Sequence, residues 1–548
     1  MTELLHCKVA ILLIIFDGCT IIPDGHCCSS LWQIKKYYGT LQSTQEDLIC
    51  SRQEGSMNIL MIYPMYPNTF WSFRHALKFV SKKASFPPLG LLTVAALLPD
   101  DWNKKLIDLN TTPLTDSDIR WADYVFLSAM SIQSESANTV IERCRQCKTK
   151  IVAGGPLFTS SSDQYDHLDH LVLNEAEITL PLFLRDLAAG TPQHKYTTNE
   201  WADISATPLP LWNLVDHTQY SSMNIQYSRG CPYECDFCDI TVLYGRRPRT
   251  KTKEQVIAEL DAVYASGWRG PLFFVDDNFI GNKNKLKKEI LPAIAKWNHE
   301  HNHPFYLNTE ASINLADDEV LLQLMAAAGF ESVFIGIESP NEKSLLECNK
   351  IQNRNRDMIL SVKKIQQAGL EVQGGFIVGF DNDHPLIFDE LIQFIQQSGI
   401  VTAMVGLLNA PRGTKLHKKM LDEGRMLANF TGSNTDFSIN FIPRMDCDAL
   451  LNGYKRIVST IYSPKKYHER IMQFLQTFDP KQKKVFHFNP NYVQALLRSM
   501  FLLGIVSAGR KYYWKLFFWT LFRKPQFFSL AIGFAIYGFH FRKISQDY

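Results

Sequence analysis

Three cysteines within eight residues, Cys231-Pro-Tyr-Glu-Cys235-Asp-Phe-Cys238, constrain this chain more than any other feature. Thiolates at this C-x3-C-x2-C spacing can wrap onto one soft-metal centre. No fourth cysteine follows nearby. An iron–sulfur cube takes about four cysteine ligands, so a cube held by three keeps one iron open to another ligand. That is a catalytic arrangement rather than an electron-storage one. The spacing differs from the ferredoxin run and from the paired hooks of zinc ribbons. Chance clustering of buried core cysteines is the alternative. The proline and aromatic residues that punctuate the run read instead as a loop.

The chain has 548 residues, enough for about two to four domains. Hydrophobic residues make up 46% and charged residues 20%, which describes a globular protein and excludes a disordered one. A net charge of +2 leaves no electrostatic footprint for nucleic acid. Twelve cysteines without regular spacing argue against a disulfide scaffold and for a reducing, cytoplasmic compartment. Residues 1–56 hold five of them and one short apolar run, Val9 to Phe16. That run fits neither a secretory signal nor a membrane span. The segment reads as a loosely ordered extension, with Met57 as a candidate start.

From Met57, strand-like runs alternate with helical spacing: Ile59–Tyr63, Lys105–Leu109, Tyr124–Ser128, Ile151–Ala153 and His170–Leu173, with helices over Leu89–Leu98 and Ser134–Cys147. This is the rhythm of an α/β fold with a doubly wound, Rossmann-like parallel sheet, expected over residues 57–190. Ligands on such sheets sit at the carboxyl ends of the strands, here carrying Ser128, the Gly154-Gly155 pair and Asn174-Glu175-Ala-Glu177. Cys144 and Cys147 read as ordinary thiols. A proline-rich linker, 191–222, leads to a second series of βα units over 223–440. Its strands end in Asp276-Asp277, Glu310, Glu338, Gly379 and Asn409. Polar residues recurring at carboxyl strand ends are what a barrel active site looks like. Asp276 and Asp277 serve equally as helix caps. Gly374 and Gly375 either loosen a strand or admit a close ligand. Arg246, Arg247 and Arg249 read as a solvated basic face, an anion contact or a docking contact.

Residues 441–548 read as a helical extension. Tyr512–Phe522 and Phe527–Phe541 are crowded with aromatics and flanked by Arg510, Lys511, Lys515, Arg523, Lys524, Arg542 and Lys543. Each is too short to span a bilayer. They suit either peripheral contact with the membrane interface or a cap packed on the barrel.

Gly230-Cys-Pro-Tyr-Glu-Cys-Asp-Phe-Cys238 resembles the signature of radical S-adenosylmethionine enzymes. The resemblance implies that Cys231, Cys235 and Cys238 hold a [4Fe–4S] cluster whose open iron binds the amine and carboxylate of S-adenosylmethionine. Reductive cleavage then gives a 5′-deoxyadenosyl radical that takes hydrogen from an inert carbon. It also implies an external ferredoxin- or flavodoxin-like electron donor, and S-adenosylmethionine contacts from Glu338, Glu310, Asp276, Asp277, Gly374 and Gly375. Phe86-Pro-Pro-Leu-Gly90 and Ala153-Gly-Gly-Pro156 are similar to the cobalamin-binding domain that precedes many such enzymes, with Ser128, Gly154, Gly155 and Glu175 as cofactor-binding positions. Asn174-Glu-Ala-Glu177 departs from that family's Gly-Glu-Gly-Glu turn. No Asp-x-His-x-x-Gly motif occurs, so cobalamin would bind without a histidine tail ligand.

From Met57 onward the whole arrangement resembles the cobalamin-dependent subgroup that includes the hopanoid C-2 methylase, through Cys238–Arg249 and Phe274–Gly281. The implied fold is a cobalamin-binding Rossmann-like domain, a partial (β/α) barrel of the radical S-adenosylmethionine type and a helical extension. The implied function is methylation of an unactivated carbon of a lipid-like, hopanoid-type substrate through methylcobalamin. A non-methylating rearrangement or ring closure, and a cobalamin or cluster sensor without turnover, are the other readings.

Overall fold

A run in which four consecutive residues are fully buried cannot be an amphipathic strand. Ile59–Ile62 in strand β1 (Asn58–Tyr63) is such a run, and parallel sheets covered by helices on both faces demand it. The computed structural model describes residues 56–427, 432–433, 435–480 and 490–547. The expectations for residues 1–55 lie outside the described residues.

The first sheet joins β1 to β2 (Asn103–Asp108), β3 (Tyr124–Ser128), β4 (Lys150–Gly154), β5 (His170–Val172) and β6 (Lys195–Tyr196) in the order 2-1-3-4-5-6. Every pairing is parallel. The order reverses between β1 and β3, which opens a cleft at their carboxyl ends. The helices Leu89–Leu97 and Ser134–Cys147 fall where the apolar spacing puts them.

The second sheet comprises β7 (Met223–Ile225), β10 (Gly270–Phe274), β11 (Phe305–Ala311), β12 (Phe330–Glu338), β13 (Glu371–Val378) and β14 (Ala403–Leu407), all parallel and in sequence order. Between β7 and β10 lies a short antiparallel hairpin, β8 (Ser228–Arg229) with β9 (Arg249–Thr250). Unlike β1, strand β11 alternates buried and half-buried residues. Helices cover its outer face; the inner face lines the interior of an open barrel.

The open edge at β14 is closed by side chains from the C-terminal region. In the helix Cys447–Ile461, Tyr454 donates its hydroxyl to the Val405 carbonyl at 3.1 Å. Tyr462, just beyond, donates to the Ala403 carbonyl at 2.7 Å and accepts from the Ala403 amide at 3.2 Å. Edge backbone is thereby satisfied without another strand.

Helices Pro464–Thr477, Pro490–Phe501, Arg510–Arg523 and Phe528–Asp547 follow. The two aromatic runs part company here. Phe528–Asp547 is internal: Ala531, Phe534 and Phe541 are buried, and Phe541 stacks on Phe70 at 4.1 Å. The His540 ring is hydrogen-bonded to the Phe70 carbonyl at 2.9 Å. Arg510–Arg523 buries only Tyr513, Leu516 and Thr520. No described helix is long and apolar enough to cross a membrane.

Candidate active site

The cysteine loop leaves β8 through Gly230, whose φ of +90° suits glycine. A Cβ there would come within 3.0–3.1 Å of the Tyr244, Gly245 and Arg247 carbonyl oxygens. Two aspartates at the end of β10 brace the same turn. Asp276 accepts from the Tyr227 amide at 3.1 Å and from the amide and hydroxyl of Ser228. Asp277 accepts from the Gly230 amide at 2.8 Å. Burial pushes their carboxyls up, to about 7 for Asp276 and about 6 for Asp277.

A second brace comes from the crossover after β12. Asn349 donates to the Glu234 carbonyl at 2.9 Å, and the Asp236 amide donates to the Cys348 carbonyl at 3.0 Å. Two side-chain amides aim N–H groups at sulfur: Gln352 Nε2 lies 3.8 Å from Cys235 Sγ, and Asn278 Nδ2 lies 3.8 Å from Cys231 Sγ. All three cysteines are free. Burial raises each thiol, and the Lys350 ammonium opposes the rise. Donors directed at sulfur suit thiolate ligands. Among the described residues no three His, Cys, Asp or Glu side chains converge as a single metal ion requires. A multi-iron cluster takes each thiolate from a different iron and so holds them further apart; the donor set fits such a cluster.

Glu338 ends β12 at a φ of +63°, a strained conformation for a non-glycine residue. Its Oε1 pairs with Lys350 Nζ at 2.6 Å, both side chains being buried. A Cβ on Gly336 would sit 2.3 Å from that oxygen. Burial works to lower Lys350, but Glu338 and Cys235 hold its ammonium above the usual range. Glu310 lies on the inner face of β11, and no hydrogen bond among the described residues engages its carboxylate. Burial pushes it up to about 8; Asp277 and Asp276 add to the rise and Lys350 opposes it. Gly374 and Gly375 are packed by protein: a Cβ would meet the Phe376 ring at 2.8 Å and the Phe334 ring at 2.7 Å respectively. At Gly379, φ +109°, a Cβ would meet Leu450 at 3.2 Å.

The carboxyl ends of the first sheet meet this loop. Ser128, Gly154 and Gly155 converge there: a Cβ on Gly155 would lie 2.6 Å from Ser128 Oγ, and one on Gly154 would lie 2.6 Å from the Val172 carbonyl. Glu175 is fully engaged, with Arg229 at 3.0 Å, Arg249 at 2.7 Å and the Ala202 amide at 2.8 Å. Glu177 pairs with Arg229 at 2.7 Å. Arg229 directly precedes Gly230, so the Asn-Glu-Ala-Glu turn clamps the first sheet to the cysteine loop. Arg249 is therefore a docking residue, while Arg246 pairs with Glu234 at the surface. The loops immediately after β1 to β5 carry no histidine.

Residues 225–395 match the Radical SAM superfamily, and residues 414–548 match a domain of unknown function, DUF4070. The chain is 40% identical over 494 residues to "Uncharacterized methyltransferase sll1242" of Synechocystis, covering 88% of this chain and 91% of that protein. It is 35% identical over 420 residues to the hopanoid C-2 methylase of Rhodopseudomonas palustris, covering 76% and 79%. The chain belongs to the radical S-adenosylmethionine methyltransferase family. The fold matches that of the cobalamin-dependent S-adenosylmethionine radical enzyme OxsB, at a TM-score of 0.58 and 13% identity over 90% of this chain and 81% of that one. TsrM from Kitasatospora setae, solved with cobalamin and a [4Fe–4S] cluster, matches at 0.58 and 13% over 90% and 100%.

Several residues of the site escaped the sequence reading: Arg229, Asn278, Lys350, Gln352 and Asn353. Asn353 donates to the carbonyls of Gly336 and Ile337, both at 2.9 Å, and so shapes the turn that carries Glu338. The only signal was a polar run, Asn349-Lys-Ile-Gln-Asn353, inside a crossover that otherwise needs apolar spacing.

Proposed function

We propose that this enzyme carries a [4Fe–4S] cluster on Cys231, Cys235 and Cys238, S-adenosylmethionine at the barrel mouth and cobalamin at the carboxyl ends of the first sheet. Its reaction is methylation of an unactivated carbon in an apolar, lipid-like substrate of hopanoid type. It works in the cytoplasm at the membrane face, with electrons from a ferredoxin- or flavodoxin-like donor.

The observation that carries the substrate reading is the inner face of the second sheet. Phe273 of β10 and Phe334 of β12 stand on it half-buried. Phe86 meets Phe273 at 5.3 Å between ring centroids, and Trp71 meets Phe334 at 5.2 Å. Both partners come from the amino-terminal half. A ring-lined wall suits an apolar ligand, and Asn308 and Gln373, in register with Phe273 and Phe334, add polar points of contact. Glu310, Glu338 and the cysteine loop lie toward the carboxyl ends of the strands.

The bound groups together supply hydrogen abstraction from an inert carbon and a methyl donor. The chain's own residues position and shield them. Asn278 and Gln352 hold thiolate charge on Cys231 and Cys235. Glu310, without a hydrogen-bond partner among the described residues, receives a cationic group. Glu338, fixed through Oε1 by Lys350, keeps its second oxygen for a hydroxyl. The test is methyl-labelled methionine fed to cells that express the protein, with mass spectrometry of their lipids. A labelled lipid absent from a Cys238→Ala strain is expected. Deoxyadenosine release by the purified enzyme without S-adenosylhomocysteine and without labelled lipid would overturn methylation in favour of rearrangement or ring closure.

A further inference from the structure

Water-facing helices seldom spend their outer stripe on phenylalanine, yet two neighbouring helices do so here. On Pro490–Phe501 and the wide helical turn Leu502–Val506, the outward residues are Leu497, Phe501, Ile505 and Val506. On Arg510–Arg523 they are Phe518 and Phe522. These six side chains are between 49% and 67% exposed. The two stripes are joined through Trp514, whose Nε1 donates to the Gly504 carbonyl at 2.9 Å and whose ring stacks on Phe518 at 5.5 Å. Phe518 stacks in turn on Phe522. An exposed apolar surface of this extent marks an interaction site.

The charge around it selects the partner. Between Pro490 and Gln546 there are eight Lys and Arg residues and no Asp or Glu. Arg498 and Arg542 are tied to backbone carbonyls of the enzyme itself. Arg510, Lys511, Lys515, Arg523 and Lys524 are in no ion pair among the described residues. Lys511 and Lys515 stand on the same outward stripe as Phe518 and Phe522, at helical spacings of four, three and four residues. Long cationic side chains beside exposed rings let the rings enter an apolar phase while the ammonium groups stay at its boundary. A second copy of this chain would bring five like charges against five, which opposes self-association through the face. No described helix can cross a bilayer, and the remaining aromatic helix, Phe528–Asp547, is internal.

We infer that Leu497, Phe501, Ile505, Val506, Phe518 and Phe522, rimmed by Arg510, Lys511, Lys515, Arg523 and Lys524, form a docking face for the surface of an anionic lipid bilayer. The face stands on its own chemistry and does not depend on the substrate being a lipid.

The test is flotation of the full-length protein with vesicles of phosphatidylcholine alone or mixed equally with phosphatidylglycerol. The wild type floats with the mixed vesicles. The Phe501→Ser, Ile505→Ser, Phe518→Ser, Phe522→Ser variant loses binding to both. The Lys511→Glu, Lys515→Glu variant loses the preference for anionic vesicles, its bound-to-free ratio falling by at least about tenfold. All substituted residues are exposed, so unchanged melting temperatures are expected and are checked alongside. Wild-type protein that stays in solution, or both variants floating like the wild type, would overturn the inference. So would a wild-type dimer that the four-site variant splits, since that would assign the face to a second copy.

Discussion

Glu338 and Lys350 form the most exacting pair in the site. One is held at positive φ and the other is a buried ammonium; each satisfies the other. Lys350→Met should leave the Glu338 carboxylate buried without its partner and cost about 3–5 kcal/mol. Urea unfolding measures the loss; a midpoint within error of the wild type would contradict the pairing. Glu310 makes a different prediction. Its carboxyl sits at about 8 in the cofactor-free fold, against an ordinary 4.5. Between those values the folded chain keeps a proton that the unfolded chain has lost, so stability falls as pH rises through the window. Asp276 and Asp277, raised to about 7 and 6, slope the same way. Glu310→Gln should therefore flatten the decline and gain roughly 1–3 kcal/mol at about pH 8 relative to the wild type. Parallel pH profiles for the two proteins would refute the assignment. At Gly155 the lesson is steric: Gly155→Ala drives a Cβ against Ser128 within the fold itself, so loss of ligand binding there cannot be separated from local strain.

At the scale of elements, the Arg229 clamp ties the first sheet to the cysteine loop of the second. Glu175→Gln with Glu177→Gln removes the carboxylates that Arg229 and Arg249 need. Hydrogen exchange at 174–177 and 228–250 should then accelerate by about tenfold or more, because unpaired buried guanidinium groups reopen the contact. Unchanged protection would show that the clamp holds nothing. The clamp also shows what the sequence could and could not disclose. Strand β1 was legible because its burial is written in consecutive apolar residues, and Ser134–Cys147 because its apolar residues recur at helical spacing. The two-residue strand β6 carries no periodicity to read. Glu175 invited a ligand role since its partners lie 54 and 74 residues away in the chain. Lys350 was invisible for a related reason, sitting in a crossover whose fold alone returns it to Glu338. Aromatic density in 512–541 announced burial or an interface without saying which helix would take which. Packing of Phe541 on Phe70 decides it for Phe528–Asp547.

For the whole molecule, the arrangement is two parallel sheets whose carboxyl ends meet at one cysteine loop, with an aromatic-walled interior beneath it and a helical extension that closes the β14 edge. Tyr454 and Tyr462 seal the β14 edge, and Asp276, Asp277 and the 348–353 crossover fix the turn. The proposed chemistry requires the loop to hold a four-iron cluster through three cysteines, with one iron left for S-adenosylmethionine. Electron paramagnetic resonance of the anaerobically reconstituted, reduced protein, recorded before and after S-adenosylmethionine is added, tests that most directly. A reduced [4Fe–4S] signal that changes on addition and is absent from the Cys231→Ala, Cys235→Ala, Cys238→Ala variant is expected. A signal indifferent to S-adenosylmethionine, or one that survives in the triple variant, would contradict it.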